Sequence, residues 1–183
     1  MNGDVYYTMV LLFKSAGAVL IMGAAGYFAM NMSRAMERRN LELRKLYSIL
    51  LQLKSEIQYM YNPLPDCFRK IAVYAKEPFS AWLLTLSERM EKNGDSSFGE
   101  IWQKGIAQLY DQSALKTEDI EPLKELSDKL GSMDVEIQVK AIDYTLLQIE
   151  RNRTILQSEL SQKKKVIATL SMFGGFMTLI LLL

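Results

Sequence analysis

The side chains best suited to covalent or acid–base chemistry here are one thiol, Cys67, and a scatter of carboxylates; the chain has no histidine. That absence removes His-based triads, His-ligated zinc and the commonest general base. Cys67 is the lone cysteine, so it forms no internal disulfide, and in "LPDCFRK" it reads as a small buried hydrophobe on a short helix. The acids are densest in "TEDIEPLKE" (117–125), where they complement the positive end of a helix dipole instead of forming an acid/base pair. "MFGGF" (172–176) lies inside an apolar run with no Gly-Lys-Ser/Thr after it, so it is not a phosphate loop. The expectation is a protein that is not an enzyme and holds no cofactor or metal.

The charge pattern says more. Lys+Arg number 22 against 21 Asp+Glu, a net charge of +1 that offers no field for nucleic acid. These charges are segregated: only Asp4 and Lys14 precede Arg34, and none follows Lys165. Val166 to Leu183 is uncharged and about 27 Å long as a helix, close to the roughly 30 Å of a hydrocarbon core. Ser15 to Met32 is uncharged too. Arg34, Arg38 and Arg39 after the first run, and Lys163, Lys164 and Lys165 before the second, flank the central segment, which the positive-inside rule puts in the cytoplasm. A cleaved signal peptide is the competing reading of the N-terminus, but the positive charge follows the apolar run instead of preceding it.

The expected organisation is therefore a short outer segment (1–14), a transmembrane helix (15–32), a cytoplasmic helical domain (33–165) and a second transmembrane helix (166–183). Ala25 with Ala29, and Ser171 with Gly175, are small pairs spaced i,i+4 that let helices approach closely in lipid. They are candidates for packing the spans on each other or on another membrane protein.

The central segment carries a helical period almost throughout. Leu46, Ile49, Leu50, Leu53, Ile57 and Met60 form one stripe of a first helix that ends near Asn62, because Pro63 and Pro65 cannot extend it. Pro65 starts a short second helix with Phe68, Ile71, Ala72 and Ala75 inward. A third packs Phe79, Trp82, Leu83, Leu86 and Met90 and closes at Gly94 in a left-handed cap. Ser97 and Glu100 have capping-box spacing for a fourth, with Ile101, Trp102 and Leu109 inward. Thr117 caps a fifth carrying Ile120, Leu123, Leu126 and Leu130, which Pro122 delays or kinks and Gly131 closes. Asp134 caps a long sixth, with Ile137, Ala141, Tyr144, Leu147 and Leu156 inward. "ERRNLELRK" (37–45) reads as a solvated face. The fold class is all-α: a cytoplasmic bundle of about six helices, flanked by an N-terminal and a C-terminal transmembrane helix.

"LQLKSEIQYMYNPLPD", Leu51 to Asp66, resembles the most recognisable segment of the stage III sporulation protein AB family. A glutamate–isoleucine pair, a tyrosine and a proline–leucine–proline–acid turn follow there in order; here they are Glu56, Ile57, Tyr59, Pro63, Leu64, Pro65 and Asp66. "GAVLI" (Gly17 to Ile21), "LGSMDVEIQ" (Leu130 to Gln138) and the tail ending in Ile180 and three leucines are similar to further family features. The extra residues before Lys14, and Pro122, depart from that pattern.

The resemblance implies a membrane protein of the mother cell in endospore-forming bacteria, part of a channel joining mother cell and forespore. Its helical domain would be similar to those of type II secretion and type IV pilus platform proteins, and a platform in another such system is the alternative. Implied partners are a cytoplasmic secretion-type ATPase of the same operon, other membrane proteins of the channel, membrane lipid and a possible second copy. Glu56, Tyr59, Pro63, Leu64, Pro65 and Asp66, with Gly131 and Asp134, are the candidate partner-facing residues. The competing reading of both stretches is purely local: a rigid turn in one, a helix stop followed by a helix start in the other.

Overall fold

The structure is a computed structural model. It describes the backbone of residues 2–60, 62–92 and 97–182. Side chains are described over 30–60, 62–92 and 97–169, and at 9, 17, 20, 23, 24, 26, 27 and 172–174. The elements are α1 (Asn2–Ser55), a π-helical turn (Glu56–Met60), α2 (Leu64–Tyr74), α3 (Phe79–Lys92), α4 (Phe98–Gln112), α5 (Thr117–Leu130) and α6 (Val135–Leu182). No strand occurs among the described residues, so the all-α, six-helix expectation stands.

Two compact units form: Met1–Glu37 with Ser158–Leu183, and Arg38–Gln157. Each contains part of α1 and part of α6. Among the described residues no helix is long and apolar enough to cross a membrane. The side chains expected to span lipid lie mostly outside the described residues, and those of Ala25, Ala29, Ser171 and Gly175 all do.

Local chemistry accounts for the helix ends. Pro63 stops the first rod and Pro65 occupies the first turn of α2, where a missing N–H costs nothing. Ser97 Oγ accepts from the Glu100 backbone N–H at 3.3 Å to open α4, and Asp134 Oδ1 accepts from the Glu136 N–H at 2.8 Å to open α6. The cap of α5 lies one residue before the expected Thr117: Asp119 Oδ2 accepts from the Lys116 N–H at 2.9 Å. Gly94 lies outside the described residues. Gly131 ends α5 at φ −77°, so its value is space and not a left-handed turn: an added Cβ would sit 3.0 Å from the Phe98 ring.

In the Arg38–Gln157 unit, α2, α3, α4 and α5 pack in succession around Trp102. Its ring lies 5.5 Å from Trp82, 5.7 Å from Phe98 and 6.0 Å from Phe68, centroid to centroid, and its Nε1 donates to the Leu123 carbonyl at 2.7 Å. Gly105 lets α4 close on α3, because a Cβ there would stand 2.6 Å from Leu86 Cδ2 and 3.2 Å from Trp82 Nε1. Leu43, Leu46, Ile49, Leu50, Leu53 and Ile57 of the first rod are buried.

Four expectations about burial need correction. Met60 is exposed, because a π-turn rotates less per residue than an α-turn and leaves Met60 short of the core stripe. Met90 is only half-buried. On α6 the inward face is Ile142, Thr145, Leu146, Ile149 and Leu156, while Ile137, Tyr144 and Leu147 are exposed. Thr145 tolerates burial because its hydroxyl donates to the Ala141 carbonyl at 3.0 Å.

The fourth concerns "ERRNLELRK", which is a solvated face only in part: Glu37, Arg38 and Arg44 are exposed, but Arg39 and Glu42 are buried. Arg39 grips Asp119 bidentately, Nε to Oδ2 at 2.6 Å and Nη2 to Oδ1 at 2.8 Å, and reaches Glu118 Oε1 at 2.9 Å. Burial opposes its charge, but the Asp119 hydrogen bonds and the two acids prevail and raise the guanidinium pKa. Glu42 accepts from the Ala114 N–H and from Arg38. Pro122 neither delays nor stops α5. It withholds the N–H that would have bonded to the Glu118 carbonyl, and Asn152 Nδ2 on α6 donates there instead, at 2.8 Å.

Candidate partner-docking surface

The predicted partner-facing residues fall into two places, both in the Arg38–Gln157 unit. The first is the π-turn, the proline turn and α2. Glu56 Oε2 accepts from Asn62 Nδ2 at 2.6 Å and from Lys70 Nζ at 3.2 Å, tying the end of the first rod to the turn and to α2. These two bonds, the Asn62 one foremost, lower the carboxyl pKa of Glu56. Asp66 pairs with Arg69 at 3.2 Å, and Arg69 also pairs with Glu91 of α3. The Pro65 carbonyl accepts from Ser87 Oγ at 2.9 Å. Glu56, Pro65 and Asp66 are thus brought together as a braced turn.

Cys67 lies beneath this turn, fully buried, its Sγ 3.4 Å from the Asn62 carbonyl. Burial, reinforced by Glu56, pushes its thiol up to about 11, so it is a protonated core residue and not a nucleophile.

The brace displays apolar groups. Tyr59, Met60, Val73 and Tyr74 are exposed, Tyr74 to 82%. Pro63 is exposed and Leu64 half-buried. Between the first rod and α2 runs an open groove of about 480 Å³, with Ile71, Val73 and Tyr74 on one wall and Gln52, Glu56 and Lys70 around it. Large apolar side chains rimmed by polar ones are the usual make-up of a protein-binding surface. Val73 and Tyr74 were not singled out from sequence, although at helical spacing Val73 falls opposite the buried Phe68–Ile71 face and Tyr74 at its flank.

The second place is the loop after α5. Gly131 and Asp134 are exposed, and Asp134 is occupied as the α6 cap. Gln138 Nε2 donates to the Ser132 carbonyl and Met133 projects fully into solvent. A groove of about 420 Å³ between α5 and α6 opens beside it, floored by Leu126, Ile137, Ala141 and Tyr144. The structure does not bring the two places together into one site. Among the described residues no cluster of acids, cysteine or histidine could hold a metal ion.

Comparison with known proteins bears on most of the chain. Residues 14–183 match the family model for stage III sporulation protein AB. Stage III sporulation protein AB of Bacillus subtilis (strain 168) is 27% identical over 172 residues, covering 94% of this chain and all of that one. A solved structure of stage III sporulation protein AB (SpoIIIAB) superposes with a TM-score of 0.63 at 27% identity, covering 68% of this chain and 97% of its own. The match includes the braced turn, the loop after α5 and the apolar tail, so this chain belongs to the stage III sporulation protein AB family.

Proposed function

We propose that this protein is a non-enzymatic membrane platform of the sporulation channel linking mother cell and forespore. In this reading α1 and α6 each enter lipid once, the Arg38–Gln157 unit lies in the cytoplasm, and the protein sits in the mother-cell membrane around the forespore. Its work is to dock a secretion-type ATPase and other membrane proteins of the channel.

Family membership over residues 14–183 carries the sporulation role. The uncharged ends flanked by Arg34 and Lys163–Lys165 support the two-span layout. The exposed Val73 and Tyr74 on the braced groove, with Tyr59 exposed on the π-turn, support docking there. A raised thiol at Cys67 and the absence of histidine support a role without catalysis.

Two experiments test it. Deleting the gene should abolish heat-resistant spores and leave vegetative growth normal; normal sporulation would defeat the role. Single-cysteine variants near residue 4, in the central unit and after Leu183, built on Cys67→Ala and expressed in vegetative cells, whose cytoplasmic membrane faces the medium, should react with an impermeant reagent only at the two ends. Labelling of the central unit in intact cells would defeat the topology, and ATPase docking with it.

A further inference from the structure

The unit formed by Met1–Glu37 and Ser158–Leu183 holds a groove that the docking argument does not use. It measures about 360 Å³ and changes character along its length. Met32, Val166 and Ile167 make an apolar part, which adjoins the uncharged runs, and Ser33, Gln162 and Lys163 make a polar part. Lys163 Nζ is held against two thioethers, 3.4 Å from Met36 Sδ and 3.8 Å from Met32 Sδ. Thioether sulfur is a weak, uncharged acceptor, so the ammonium is positioned but not neutralised. Among the described residues Lys163 forms no ion pair, in contrast to Lys164, which pairs with Glu37 at 3.0 Å.

The surrounding charge has one sign in excess. Residues 33–37 and 158–165 carry Arg34, Lys163, Lys164 and Lys165 against Glu37 and Glu159. Arg34 and Lys165 are exposed and form no ion pair among the described residues. Glu159 also borders the groove. A single phosphate would meet repulsion there, whereas a headgroup that places hydroxyls beyond its phosphate could donate to that carboxylate.

We infer that this groove binds one anionic phospholipid: acyl carbons along Met32, Val166 and Ile167, phosphate at Lys163, and a hydroxylated headgroup towards Glu159. The inference rests on the reading that the two ends are embedded in lipid. Net charge selects the occupant: the basic excess of residues 33–37 and 158–165 favours a headgroup with net negative charge over a zwitterionic one, and headgroup hydroxyls give Glu159 donors.

The test uses the full chain in nanodiscs of phosphatidylcholine mixed equally with phosphatidylglycerol, followed by native mass spectrometry of the released protein. The expected result is one retained phosphatidylglycerol in preference to phosphatidylcholine. Lys163→Gln should weaken that retention about fivefold, the worth of one lysine near an anionic surface, while Lys163→Arg keeps it. Val166→Trp, which narrows the apolar part without altering charge, should also reduce it. Equal retention of both lipids by carbonate-resistant protein overturns the inference and leaves the two-span reading intact. Displacement of the lipid by inorganic phosphate overturns it as well, since the site would then be a simple anion site. Protein that washes off vesicles in carbonate defeats the two-span reading itself, and this inference falls with it.

Discussion

Where α2, α3 and α4 meet, the contacts are rings and methyl groups around Trp102, with Gly105 clearing the way. Where α1, α5 and α6 meet, a buried arginine holds a buried aspartate, and an asparagine replaces the hydrogen bond that a proline withholds. The first junction depends on shape and tolerates neighbours that shift a little. The second depends on direction: Arg39, Asp119 and Asn152 each have a specified partner, and stripping one of its partner is costly in a dry interior. One unit therefore contains a forgiving joint and an exacting one.

The sharpest way to break this contrast is Asp119→Ala, which leaves Arg39 buried without its main partner. The expected loss is about 3–5 kcal/mol by denaturant unfolding of the full chain in detergent. Replacing both partners, Arg39→Met with Asp119→Leu, should recover most of it. If the double variant is no better than the single one, the exacting character of the joint is misjudged.

At the forgiving joint, Gly105→Ala should cost about 1–3 kcal/mol, because the new methyl must displace Leu86 and press on Trp82. Adding Leu86→Ala should relieve much of that. Smaller again is Asn152→Ala, about 1 kcal/mol in the presence of Pro122. With Pro122→Ala, which restores an N–H to α5, the Asn152 contribution should shrink, and a double-mutant cycle reads the difference.

Titration extends the comparison to the braced turn. The Cys67 thiol is raised to about 11 when folded, so the native state keeps a proton that the unfolded chain releases. Its contribution is whole below about pH 8.5 and is lost as pH climbs towards 11; Cys67→Ala should flatten that alkaline limb of the unfolding curve. Glu56 has the opposite sign. Its lowered pKa contributes stability above about pH 4.3, lost as acid protonates it, and Glu56→Gln should remove that slope.

Local signals made the fold legible. Pro63, Pro65, Ser97 and Asp134 mark helix ends because each acts on backbone groups within a turn of itself. The stripe from Leu46 to Ile57 was readable for the same reason. Had it been extended backwards by threes and fours it would have landed on Glu42 and Arg39, the one sequence hint that those charges are buried. Their partner could not be read, since Asp119 lies 80 residues from Arg39. The α6 face was misread because its apolar residues lie on both sides, and the deciding fact, that Thr145 bonds to its own helix, is conformational. Tyr59, named from sequence as a candidate, is exposed; Val73 was readable as facing away from the inward side already assigned to α2, whereas Tyr74, at the flank of that side, was not.

The five-residue π-turn at Glu56–Met60 has a mechanical corollary. Such a turn holds one residue more than the α-helical turn it replaces, and one residue of α-helix amounts to about 100° of rotation. Excising a single position there would not shorten the rod so much as spin its tip, carrying the proline bend and Tyr59 round to a different quarter of the compass. Chain length at this spot is thus an angular setting, and since Ile57 in the turn and Cys67, Phe68 and Ile71 just past the bend are buried, a one-codon deletion would re-aim the tip only by repacking the core around it.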